Sequence, residues 1–142
     1  MRRVAITGLG IVSGFGNEVG AFWDALLAGR SAASVAELPG LPPLPAVRAP
    51  DFDADAVIGR REAKRMDRVG IFAAVAAANA LADAGDLGLD GWRIGASIGC
   101  AHGGVATLME AHAALLERGA DRVSPFTIPL ALTNSPLAAV TR

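Results

Sequence analysis

The stretch Arg2-Arg-Val-Ala-Ile-Thr-Gly-Leu-Gly-Ile-Val-Ser13 decides the fold. Val4 to Ile6 is a short β-rich run, and Thr7-Gly8-Leu9-Gly10 bounds it as a tight exit, which together read as a buried strand. Further on, Arg93-Ile-Gly-Ala-Ser-Ile-Gly99 reads as a second strand, small and buried. Between the two lie helical patterns. Asn17 is placed to cap a helix over roughly Val19 to Leu27, with Gly29 just beyond its end. Phe22 and Leu26, with Trp23 and Leu27, give that helix an apolar side. Ser31 to Pro50 turns irregular, with Pro39, Pro42, Pro43 and Pro45 in close succession. Periodic structure resumes on both sides, so this is an excursion and not a domain linker.

The basic segment Arg60-Arg-Glu-Ala-Lys-Arg-Met-Asp-Arg68 opens the strongest helix, which runs to about Asp83 and stops near Gly85. Val69 to Ala82 carries no charge, as expected of a helix inside a multilayer fold. Alanines at 73, 74, 76, 77, 78 and 80 let neighbouring backbones come close. After the second strand, Cys100-Ala-His-Gly-Gly104 is a loop, and an amphipathic helix follows from about Val105 to Arg118. Leu108, His112, Leu115 and Leu116 share one side of it, which favours a core or interface role for His112. Strand, helix, helix, strand, helix is the order of a layered α/β domain, a mixed sheet with covering helices.

The length of 142 residues is that of one domain with a real core. Its residues are 52% hydrophobic but only 5% aromatic, so alanine and glycine carry much of the apolar content and favour close backbone packing. A formal net charge of -1 argues against nucleic-acid binding through a basic surface. The single cysteine, Cys100, forms no internal disulfide. Arg2 and Arg3 before Val4 to Val12 imitate a signal peptide, but Gly8 and Gly10 interrupt the run. The charge-free stretch Val123 to Thr141 contains Pro125, Pro129, Asn134 and Pro136, which a membrane span lacks. The chain reads as soluble and cytosolic.

Several residues invite a chemical reading. The turn Gly8-Leu-Gly10-Ile-Val-Ser13-Gly14 suggests a dinucleotide site, yet a G-x-G-x-x-G match from Gly8 needs glycine where Ser13 stands. The acidic residue expected about 20 positions on is also missing from Arg30-Ser-Ala-Ala. A tight strand exit is favoured. Cys100 and His102 could pair as thiolate and imidazole only if their loop stayed extended, so a buried, inert cysteine is favoured. His102 lines a pocket if Gly103-Gly104 admits a ligand closely, against the alternative of a satisfied loop histidine. No carboxylate or cysteine clusters with both histidines, and no metal is expected. The most credible functional surface is basic: Arg61, Lys64, Arg65 and Arg68 fall at i, i+3, i+4 and i+7, one stripe of a helix. Such a stripe attracts phosphates or acidic partners, against the alternative of a solvated face balanced by Glu62 and Asp67.

Taken in order, these pieces resemble the N-terminal half of the β-ketoacyl-acyl-carrier-protein synthases, condensing enzymes of the thiolase fold. The matching residues are Arg3 to Ser13, Phe22-Trp-Asp-Ala-Leu-Leu-Ala-Gly29, Arg65-Met-Asp67, Ala82-Asp-Ala-Gly85, Arg93 to Gly99, and Ser124-Pro-Phe126 through Pro129 to Asn134. The resemblance implies an incomplete thiolase-like layered fold over residues 1–142 and a decarboxylative Claisen condensation with malonyl-carrier protein. It implies that Arg61, Lys64 and Arg65 dock an acidic acyl carrier protein. It sets His102 in the acyl pocket, where elongating synthases often have an apolar residue, and sends Thr127 and Ile128 toward a dimer mate and the base of its acyl pocket. Neither Cys100 nor a histidine of this chain matches a catalytic position, and no cofactor is implied.

The run Ser124-Pro-Phe-Thr-Ile-Pro129 leads into what reads as the start of a helix, with Pro136 in its first turn. The sequence stops at Arg142 without a cap, so the nucleophile and histidine pair are expected beyond it and condensation is not expected of this chain alone. Its assembly is expected as a homodimer or heterodimer of the full-length synthase. A chain-length-factor-like scaffold, shaping a pocket without chemistry, is the second reading. A dinucleotide-binding domain is a weaker third. Exposed apolar surface is expected in either condensing-enzyme case.

Overall fold

In a computed structural model the described residues are 3–38, 40–50 and 52–141. Arg2 of the opening run, Pro39 of the proline-rich stretch, Asp51 and the final Arg142 lie outside them. The elements run α1 (Val19–Leu27), β1 (Ser34–Ala36), β2 (Leu44–Ala46), α2 (Ala54–Ile58), α3 (Arg60–Ala63), α4 (Arg68–Ala84), α5 (Val105–Arg118), α6 (Thr127–Ala131) and α7 (Ser135–Val140). Short 3-10 turns occupy Gly91–Arg93 and Ala120–Arg122.

Helix α4 is the centre. Its 17 residues bury Gly70, Ala74 and Val75, and Val75 is wholly enclosed. Asp67 starts it by accepting from the Val69 N–H at 3.1 Å, and Gly85, at φ +69°, ends it. Helix α7 lies along one flank, where a Cβ on Gly70 would stand 3.6 Å from that of Ala139. The opening segment crosses elsewhere on the helix. A Cβ at Gly8 would run into the Ala80 carbonyl oxygen, and one at Gly10 into that of Ala76. These glycines are therefore where two backbones touch, which is what the alanine content of α4 permits. Asn79 adds a tie by donating from Nδ2 to the Asn17 carbonyl at 3.2 Å.

Helices α1 and α5 form over the spans expected, and the turn at Gly29 takes φ +63° as expected of a helix end. Glu18, not Asn17, occupies the cap position of α1, without a side-chain bond. Pro136 sits in the first turn of α7 and is buried there. It lacks only an N–H that has no helical partner at that position.

The strands differ from expectation. Val4–Ile6 and Ile94–Gly99 belong to no strand and have no ladder partner among the described residues, and Val4 is 94% exposed. Arg93 closes a 3-10 turn begun by Asp90, whose carboxylate accepts from the Trp92 N–H at 3.3 Å. An apolar run becomes a strand only when another strand satisfies its N–H and C=O groups. The sheet found among the described residues is antiparallel β1–β2, with Val35 opposite Pro45, inside the stretch read as irregular. Pro45 is tolerated because both strands of a pair are edges.

Helix α5 also presents the unexpected face. Ala114 is buried, with Thr107 and Ala111 half-buried, while Leu108, His112, Leu115 and Leu116 are exposed. Of the core or interface role expected of His112, exposure leaves the interface one. Apolar spacing marks a stripe, but here small side chains at Thr107, Ala111 and Ala114 bring α5 against its neighbours. Among the described residues the buried aliphatic side chains are also small: Ala25, Ala36, Ala63, Ala74, Val75 and Ala114, with Pro136 enclosed beside them.

Candidate functional site

The basic segment does not open the long helix; it precedes it. Gly59, at φ +83°, starts the single turn of α3, and Lys64 ends it. The Arg65 N–H donates to Glu62 O at 2.9 Å and the Met66 N–H to Ala63 O at 3.3 Å, so the chain exits in a tight turn. Asp67 then adopts extended backbone, φ −69° and ψ 159°, and α4 begins on a new axis. The four-residue stripe is accordingly broken. Arg61, Lys64 and Arg65 remain exposed on the turn. Arg68 belongs to α4, donates from Nη2 to Ala49 O at 3.2 Å and lies 4.9 Å from the centroid of the Phe72 ring. A cap competes with helix continuation, and at Asp67 the cap wins.

Asp67 does more than cap α4. It is a buried carboxylate whose Oδ1 takes the Val69 N–H, while Oδ2 accepts from the Thr107 N–H at 3.1 Å and from Thr107 Oγ1 at 2.6 Å. Thr107 is in the first turn of α5, whose own cap position is Gly104 and offers no side chain. One carboxylate therefore satisfies orphan N–H groups at the start of two helices. Burial pushes its pKa up, but the hydrogen bonds from Thr107 and from backbone N–H groups outweigh this and hold it below the ordinary carboxylate value. The oxygens of Asp67 are thus engaged with the starts of α4 and α5.

The Gly103-Gly104 turn is buried between this carboxylate and α6. A Cβ at Gly104 would stand 2.9 Å from Asp67 Oδ2. Gly103, at φ +64°, would place a Cβ 2.6 Å from the Leu132 carbonyl carbon and against the Ala131 carbonyl oxygen. Backbone of residues 130–132 and the Asp67 carboxylate occupy the space beside the pair. Cys100, half-buried, accepts the Gly103 N–H on Sγ at 3.2 Å. His102 is exposed at the head of the turn.

Beyond α5, Ser124 organises the segment before α6. Its Oγ accepts from the Phe126 N–H at 3.2 Å and its carbonyl from the Thr127 N–H at 3.1 Å. Thr127 is buried and Ile128 is 63% exposed. A cavity of about 610 Å³ opens between this segment, α7 and the basic turn. Lys64, Arg65, Phe126, Pro129, Leu130 and Ser135 are among its lining, and Ser135 Oγ is enclosed without a partner. His102, Thr127 and Ile128 do not line this cavity. Among the described residues no group of His, Cys, Asp and Glu is arranged to hold a metal. No helix of the described residues is long and apolar enough to cross a membrane.

Sequence reading missed the pairing of Asp67 with Thr107. Asp67 before an apolar run does carry the signature of an N-cap. Thr107 carries no signal at all, because its partner lies 40 residues away.

Helices packed through alanine and glycine, with an exposed basic turn joined through Asp67 to the buried Gly103-Gly104 turn, define a layered domain. The family described as Beta-ketoacyl synthase, N-terminal domain, matches residues 1–140, and the chain belongs to that family. It is 35% identical over 148 aligned residues to 3-oxoacyl-[acyl-carrier-protein] synthase 2 of Synechocystis, covering 94% of this chain and 33% of that protein. The chain therefore spans about a third of the length of such relatives. A β-ketoacyl synthase from Burkholderia phymatum superposes over 99% of the chain and 36% of its own, with TM-score 0.77 and 30% identity. The ishigamide ketosynthase/chain length factor superposes over the same shares with TM-score 0.82 and 26% identity. The fold is thus part of the thiolase-like layered α/β architecture, although only β1–β2 is laddered among the described residues. The dinucleotide reading falls with this, since the glycines that suggested it hold α4.

Proposed function

We propose that this chain forms the N-terminal part of a 3-oxoacyl-[acyl-carrier-protein] synthase working in fatty-acid or polyketide synthesis in the cytoplasm, within a dimer. In that reaction an acyl group rides on a cysteine thioester. Malonyl-carrier protein loses carbon dioxide, and the carbanion left behind attacks the thioester carbonyl and expels the thiolate. No residue among 1–142 matches the family's nucleophile or its histidines, so this chain's part is recognition. Arg61, Lys64 and Arg65 receive the acidic carrier protein, His102 stands at the acyl pocket, and Thr127 and Ile128 reach toward the dimer mate.

The observation that carries the proposal is the exposed basic turn, three cations on a short segment between Gly59 and the capping, buried Asp67. An anchored turn holds its charges in a constant pattern, which favours steering of an acidic surface over loose screening. Calorimetric titration with acyl carrier protein tests it. Reversing two charges, Arg61→Glu with Lys64→Glu, should weaken binding by roughly 10-fold or more, and added salt should weaken the parent in the same direction. The chain alone should release no carbon dioxide from malonyl-carrier protein. Equal affinity of parent and double variant would sink the docking role.

A further inference from the structure

Three features of the molecule lie outside that reading: the 610 Å³ cavity with its enclosed Ser135 hydroxyl, the exposed apolar face of α5, and the Asp67–Thr107 link. Only the last joins two parts of the candidate site. The basic turn ends at Met66 and the His102 turn ends at Gly104, and both abut the same carboxylate. The Lys64 N–H closes α3 on Arg60 O, while the Arg65 and Met66 N–H groups make turn bonds to Glu62 O and Ala63 O. Gly103 donates to Cys100 Sγ and packs on the backbone that ends α6. What holds them together is one buried anion with three donors, in a setting where such bonds are strong and a lost partner is costly.

We propose that Asp67 is a positioning residue that fixes the basic turn relative to the His102 turn, so that Thr107, which lies outside both, governs carrier affinity through it. This rests on the carrier-docking reading given above. The chain of contact is short: Thr107 orients Oδ2, Oδ1 holds the Val69 N–H, and the start of α4 sets where Lys64 and Arg65 leave the helix layer. Gly104 belongs to the same device, because any side chain there would press on the carboxylate and displace it.

The test uses carrier titration and amide exchange on the parent chain and on Thr107→Val, Thr107→Ser, Asp67→Asn and Val75→Ala. Thr107→Val removes the shortest bond to Asp67 and should lower carrier affinity by roughly 5-fold, although it alters no charge. Thr107→Ser keeps the hydroxyl and should restore affinity to within about 2-fold of the parent. Asp67→Asn in the Thr107→Val background should add little, because the two groups act as one unit. Val75→Ala destabilises the same helix through a cavity and should leave affinity per folded molecule unchanged, which a merely structural role would not distinguish. Exchange at the Lys64, Arg65 and Met66 amides should quicken in Thr107→Val. Unchanged exchange there, or an affinity loss in Val75→Ala equal to that of Thr107→Val, overturns the role of Asp67. Equal carrier binding by the parent and the Arg61→Glu, Lys64→Glu variant overturns the docking reading instead, and the exchange measurement still decides on Asp67.

Discussion

Two glycine turns, Gly8-Leu9-Gly10 and Gly103-Gly104, meet the same steric demand with different degrees of enclosure. At both, helix backbone occupies the space a Cβ would need: α4 for the first, the end of α6 for the second. The first is held by one exposed polar tie, the Leu9 N–H to Asp83 Oδ2 at 2.8 Å, and Val4 and Ile6 beside it stay in solvent. The second is buried, with α5 starting on one side, α6 ending on the other and Asp67 beneath it. Close approach of backbones therefore says little about how firmly a segment is held. Flanking enclosure and a satisfied buried charge decide it.

The comparison is broken most sharply at Gly103. Gly103→Ala combines a positive φ with backbone atoms that have nowhere to move, and both flanks are pinned. We expect it to cost about 3 kcal/mol in urea unfolding. A loss near zero would mean that the turn gives way freely and that the enclosure is illusory. Next in size is acid. The Asp67 pKa is lower in the folded chain than in the unfolded one, so its contribution is complete above the unfolded value of about 3.9. It is lost as pH falls from there through the folded value. Asp67→Asn should cost about 2 kcal/mol at neutral pH and should flatten the acid limb of the stability profile, read by unfolding at a series of pH values. An acid limb as steep as the parent's would assign acid sensitivity to other carboxylates.

Legibility in the sequence followed the range of the interactions involved. Helices α1 and α5 were readable because apolar spacing and glycine stops are local signals, and α4 was readable in its apolar body. The break before Arg68 was not, because a run of charged helix formers from Arg60 to Arg65 looks continuous. Only the competition between helix and cap at Asp67 interrupts it. Val4–Ile6 and Arg93–Gly99 have strand composition, but strand pairing is a long-range property that composition does not carry. The inward face of α5 was misread for a related reason. Burial there goes to Thr107, Ala111 and Ala114, which carry less apolar weight than Leu108, Leu115 and Leu116. Of the candidate site, the three cations were legible as charge and the link that holds them was not, since Thr107 is unremarkable until it stands beside Asp67.

The smallest of the three effects is the one that sharpens the comparison most. Gly10→Ala places a methyl group against the Ala76 carbonyl oxygen and 2.7 Å from the Ala80 N–H nitrogen, a clash as severe in distance as that at Gly103. Distance alone would give equal losses. Here, however, the segment can lift from α4, since Val4 and Ile6 bury almost nothing and one exposed hydrogen bond is given up. The cost is then bounded by the free energy of local detachment, about 1 kcal/mol. Amide exchange should quicken at Leu9 while the amides of α5 keep their protection. A global loss matching that of Gly103→Ala would show that the opening segment is integral to the core, and that enclosure was the wrong measure of how firmly each turn is held.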